Sequence, residues 1–226
     1  MPLFKKIEID SSSQILIWEI TESYKQLLEE VQLNEKSLLR LNGMKSELHQ
    51  RAFLSVRKLL QESGYTDFDL HYDASGKPHL FDNKYISITH SHKFSAIIIS
   101  HQKAGIDIEL QREKIIGIAN KFVNDNELVQ LKTLNFSDFI KKLTVKWGAK
   151  EAIFKIKNQA GISFKNHIQV DEFEINDNRT LAWLEFENTK QQFAIFFEEI
   201  NSKAELSSKQ TAQKYILVYA FENRSA

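Results

Sequence analysis

Apolar residues change their spacing several times along this chain, and those changes divide it into elements. Four apolar residues run together at 15–18, between serines 11–13 and a polar stretch after Ile20, which predicts a strand. At 34–41 and again at 46–60 the period lengthens to that of a helix, with Leu48, Ala52, Val56, Leu59 and Leu60 on one face. Lys45, Arg51, Arg57 and Lys58 spread around the other side, so this helix is expected to carry a basic face. Ser63-Gly64 supplies its stop. Strands are expected at 68–72, 85–89, 94–100 and 105–109. The segment between the first two holds Ser75-Gly76-Lys77-Pro78, a turn with one positive charge at its tip. A helical stretch at 115–134, broken near Asn124-Asp125, precedes a longer helix running from Ser137, expected as its N-cap, to Lys157. Strands at 168–175, 181–187, 193–199 and 215–221 complete the pattern.

Strands and helices, more strands, then helices and a closing run of strands suit an α+β fold in two halves, residues 1–112 and 113–226. The chain of 226 residues is long enough to bury a core without staples. It has no Cys, which excludes a disulfide framework, a thiolate nucleophile and Cys-ligated zinc. Thirty Lys and Arg balance thirty Asp and Glu, so no global basic excess exists to hold a nucleic-acid backbone or an anionic membrane. The apolar runs fall far below the roughly 20 residues of a membrane span, and no secretory h-region follows Met1. The expected location is the cytoplasm.

Three segments carry candidate chemistry. In Gly105-Ile106-Asp107-Ile108-Glu109 the two acids share one face of a strand, and hard oxygen donors so placed suit Mg²⁺. In Trp147-Gly148-Ala149-Lys150-Glu151-Ala152-Ile153-Phe154-Lys155, residues Trp147, Glu151 and Lys155 stack four apart along a helix. In Ile88-Thr89-His90-Ser91-His92 a strand end gathers donors suited to phosphate, or two histidines for zinc with no third ligand at telling spacing. Each has an ordinary reading too: a wet strand face, a Glu151–Lys155 helix pair beside a core Trp147, a surface histidine.

Their order carries more than any one of them. Gly76-Lys77-Pro78, Ile88-Thr89-His90-Ser91, Gly105 to Glu109 and Trp147 to Lys155 together resemble the motifs of the 4′-phosphopantetheinyl transferases, and the length resembles the surfactin-type subfamily. Thr89 stands where the family has Ser, and His92 where a small residue is usual. The resemblance implies a pseudo-dimer of two similar halves with the active site in the cleft between them. It implies transfer of 4′-phosphopantetheine from coenzyme A to a serine of an apo acyl or peptidyl carrier protein, leaving adenosine 3′,5′-bisphosphate. Asp107, Glu109 and Glu151 would then hold Mg²⁺, with Glu151 also as general base and Lys155 neutralising phosphate charge. Lys77, Thr89, His90 and, more loosely matched, Arg51 would bind coenzyme A. Lys121 and Phe122 are expected to dock the carrier, and two fused halves imply a monomer. The competing readings are a Mg²⁺-dependent phosphodiesterase or nuclease using the same acids, and an inert module that binds carrier proteins.

Overall fold

The apolar run around Trp18 becomes β2 (Ser13–Glu19), which hairpins with β1 (Leu3–Asp10) in a computed structural model that describes residues 3–202 and 212–223. Asp10 closes the hairpin by accepting from the Ser12 amide at 2.7 Å. Three helices follow: α1 (Tyr24–Glu29), α2 (Glu35–Asn42) and α3 (Glu47–Glu62). Ser23 caps the first in a reciprocal box with Gln26, and Asn34 caps the second. Then come β3 (Leu70–Tyr72), β4 (Pro78–Leu80), β5 (Tyr85–Ser91) and β6 (Phe94–Ser100). An antiparallel sheet in the order β1-β2-β6-β5 packs Leu16, Trp18, Ile97 and Ile99 with Leu54, Val56 and Leu59 of α3.

The expected basic face of α3 needs correction at Arg57, which is fully buried. Its guanidinium bonds Asp67 Oδ1 at 2.9 Å, and Asp67 also takes the Ser37 hydroxyl and the Asn34 amide. A charge buried this deeply persists only when paired, so Arg57 ties α3 to the start of α2.

The second unit begins with β7 (Ala104–Leu110), followed by a 3-10 helix at Glu113–Lys121, α4 (Asp125–Leu131) and α5 (Phe136–Lys157). It continues through β8 (Ile168–Val170), β9 (Arg179–Phe186), β10 (Thr189–Asn201) and β11 (Lys214–Glu222). The break expected near Asn124 is there, because the Asn124 side chain caps α4. The cap of α5 is Asn135 and not Ser137: its Oδ1 accepts from the Asp138 amide at 3.0 Å. These strands form one antiparallel sheet in the order β7-β11-β10-β9-β8, on which Val145, Ala149, Ile153 and Ile156 of α5 pack.

The two compact units are Met1–Gln102 and Lys103–Ala226. The division falls before β7 and not after it, since β7 pairs along its length with β11, Asp107 opposite Val218. The architecture is α+β, as the pattern of elements implied. No described helix is long and apolar enough to cross a membrane.

Candidate active site

Strand alternation turns Gly105, Asp107 and Glu109 to one face of β7, the face that meets α5. Two glycines make that meeting close. A Cβ on Gly105 would stand 2.0 Å from the Ala152 carbonyl oxygen, and one on Gly148 would stand 2.7 Å from Val218 Cγ2. Helix and sheet therefore approach to a distance that any side chain would forbid. Gly148 lies mid-helix, at an intrinsic cost of about 1 kcal/mol against Ala, for this reason.

Gly148, Glu151, Ala152 and Lys155 occupy one helical face, so the close approach sets Glu151 and Lys155 beside Asp107. The Lys155 ammonium donates to Asp107 Oδ1 at 2.9 Å and to the Ile106 carbonyl at 2.8 Å. Lys155 thus reaches across to β7, and the helix-surface pair with Glu151 that was its ordinary reading is not its bond. Asp107 is buried, so the wet strand face that was the ordinary reading of this motif does not hold. Glu151 is half-buried, and its carboxyl is pushed up from 4.5 to about 7. Burial is the main cause, then the negative charge of Asp107; Lys155 opposes these and Glu109 adds to them.

Trp147 lies one position round the same helix. Its indole N–H donates to Glu109 Oε1 at 3.3 Å, while its ring meets Phe122 edge-on at 5.2 Å and Phe164 at 5.5 Å. Phe122, expected to anchor the docked carrier, is fully buried in a cluster with Val123, Leu131 and Leu143. That expectation is corrected: Phe122 is a core residue under Trp147. Its neighbour Lys121 is exposed at the end of the 3-10 helix.

The other expected residues lie on the first unit. Lys77 sits in the turn between β3 and β4. Asp73 Oδ1 builds that turn by accepting from the Ser75 and Lys77 amides at 2.9 and 3.0 Å, and Gly76 supplies a φ of 83°. The Ser75 hydroxyl above all, then His79 and the Lys77 amide, hold the Asp73 carboxyl well below the usual carboxylate range. Thr89 is buried and His90 exposed near the end of β5, where the His90 ring stands 6.1 Å from that of His49 on α3. Arg51, further along α3, donates to the Ile20 carbonyl at 3.1 Å. His92 adopts a left-handed backbone with φ 49°, turning the chain from β5 into β6.

The family model for the 4′-phosphopantetheinyl transferase superfamily matches residues 103–220, just over half of the chain, including β7, α5 and all four residues Asp107, Glu109, Glu151 and Lys155. The chain belongs to that superfamily. It is also 25% identical over 181 residues to the 4′-phosphopantetheinyl transferase gsp of Aneurinibacillus migulanus. That alignment covers 80% of this chain and 66% of the relative, just under two thirds of its length.

In a chain of this superfamily these acids invite the question of a metal. Among the described residues no three His, Asp or Glu side chains close on a metal position. The donor chemistry fits a hard divalent cation all the same. Asp107 and Glu109 are near enough to Glu151 to raise its pKa, and Lys155 already places a cation on Asp107. One residue of the Trp147–Lys155 motif was assigned no role from sequence, although its helical position, three after Trp147, was legible. Lys150 is buried, and burial brings its ammonium down from 10.5 to about 8.

Proposed function

We propose that this protein transfers 4′-phosphopantetheine from coenzyme A to a serine hydroxyl of an apo acyl or peptidyl carrier protein. Superfamily membership supports the transfer in general. The observation that carries the particular chemistry is the half-buried Glu151, poised at about 7 beside Asp107 and the Lys155 ammonium. A general base works best when its pKa lies near the operating pH.

In the proposed reaction the serine oxygen forms a bond to the pantetheine-side phosphorus of the diphosphate. The bond from that phosphorus to the bridging oxygen breaks, and adenosine 3′,5′-bisphosphate leaves. Glu151 takes the serine proton. Lys155 lies one turn along the helix and offsets charge gathering on the phosphoryl oxygens and the leaving phosphate. Asp107, Glu109 and Glu151 would hold Mg²⁺, which when bound supplies Lewis acidity to the diphosphate. Lys77, Thr89, His90 and Arg51 are proposed to bind coenzyme A phosphates, and exposed Lys121 to attract the carrier. The proposed setting is cytoplasmic and the proposed state monomeric.

Asp107→Ala tests the assignment. Transfer should be abolished, with the far-ultraviolet circular dichroism of the wild type retained. Turnover within tenfold of wild type would remove Asp107 from the machinery.

A further inference from the structure

Lys150 is among the most completely buried charges in the molecule, and no carboxylate among the described residues bonds it. Its ammonium instead donates to three main-chain carbonyls: Phe122 at 2.5 Å, Ile168 at 2.6 Å and Phe164 at 2.8 Å. A lysine ammonium has three donors, and here each has an acceptor. The three carbonyls belong to three segments: the residue after the 3-10 helix, the loop after α5, and the first residue of β8. Leaving such a charge buried without these partners would be costly, so the three segments are pinned to one point on α5.

Two of the pinned residues have a second property. Phe122 and Phe164 are the aromatic rings that contact Trp147, and Trp147 is the residue whose indole donates to Glu109. Lys150 holds the backbone of the cage, the cage holds the indole, and the indole holds a carboxylate of the site. We infer that Lys150 is a positioning residue, fixing Glu109 through the Phe122–Trp147–Phe164 cage while touching none of the reacting groups itself. This inference rests on Glu109 being a metal-binding carboxylate of the transferase, as proposed above.

Outer-shell partners of metal-binding side chains characteristically affect metal affinity or activity by about 10- to 100-fold, and Lys150 should act on that scale. The test uses the full chain carrying Trp18→Phe and Trp183→Phe, so that Trp147 is its sole fluorophore of that kind. In this background Lys150→Met, which keeps the apolar stem and removes the donors, should shift Trp147 emission to longer wavelength. Mn²⁺ affinity, read by electron paramagnetic resonance of the metal alone, should fall about tenfold or more. The kcat for coenzyme A-dependent transfer should fall likewise, with KM for coenzyme A within about twofold. In an otherwise wild-type chain carrying Trp147→Phe, the same Lys150 change should add less than about twofold, because residues acting along one chain of contacts are not additive.

Lys150→Arg, which retains charge and donors, should fall between wild type and Lys150→Met, and it takes the place of Lys150→Met in every arm should the latter not fold. Unchanged Trp147 emission, or a full Lys150 effect on the Trp147→Phe background, would overturn the inference. An absence of transfer by the unmodified protein would instead count against the proposed function, and the emission arm would still decide whether Lys150 holds the cage.

Discussion

The carboxyl of Glu151 ties the energetics of the fold to those of the site, and replacing it with an amide exposes the link. In the unfolded chain this glutamate titrates near 4.5, and in the folded protein near 7. Between those values the folded state binds more protons than the unfolded state, so its stability declines as pH rises. The raised pKa therefore gives a contribution fully present below about 4.5 and lost as pH passes through about 7. A displacement of that size corresponds to roughly 3 kcal/mol, reduced to about 2 by the group's partial contact with water. Glu151→Gln keeps the shape and cannot ionise, so it escapes the loss. Urea denaturation in the presence of a chelator, from pH 4.5 to 8, should show the variant gaining on the wild type by about 2 kcal/mol across that window. Adding Mn²⁺ at pH 8 should narrow the gap, since bound metal offsets the repulsion only where Glu151 is charged. A difference between the two proteins that stays constant with pH would refute the placing of Glu151 against Asp107 and Glu109.

Further outcomes follow from particular contacts. Gly148→Ala gains about 1 kcal/mol of helix propensity but overpacks Val218, so it should lower stability by about 1–2 kcal/mol net. Gly105→Ala, which meets a main-chain carbonyl that cannot rotate away, should cost more than Gly148→Ala in the same urea measurement. Phe122→Ala should destabilise the fold by about 3–5 kcal/mol. Lys121→Glu should leave the melting temperature unchanged and weaken carrier binding most at low salt, where exposed charges are least screened. Lys155→Ala should lower kcat more than it raises KM for coenzyme A, because its charge matters most as the phosphoryl bond breaks; an unchanged kcat would defeat that role.

Much of the fold was legible because spacing reports burial directly. The 94–100 strand stands as read, and the alternation of 105–109 gave the face on which Asp107 and Glu109 lie. What spacing could not report is partnership. Arg57 has the sequence of a solvated helix residue, yet Asp67, ten positions away, pairs with it in the interior. Phe122 was expected at the carrier interface, and its packing under the Trp147 ring places it in the core instead. Lys155 seemed paired along its own helix, yet the nearest acid was the one that two glycines allow β7 to bring close. Lys150 shows the limit most clearly: its three acceptors are main-chain carbonyls, which side-chain patterns do not mark. Strand β1 and helix α1 went unread because β1 alternates weakly with lysines and α1 is only six residues long.

The central claim is the transfer itself, and intact-mass spectrometry of the acceptor tests it most directly. Apo acyl and peptidyl carrier proteins are incubated with the enzyme, coenzyme A and Mg²⁺. The account predicts that a carrier gains the mass of one phosphopantetheinyl group on its serine, with adenosine 3′,5′-bisphosphate released in equal amount, and that Asp107→Ala abolishes both. Cleavage of coenzyme A with every carrier left at its original mass would contradict it.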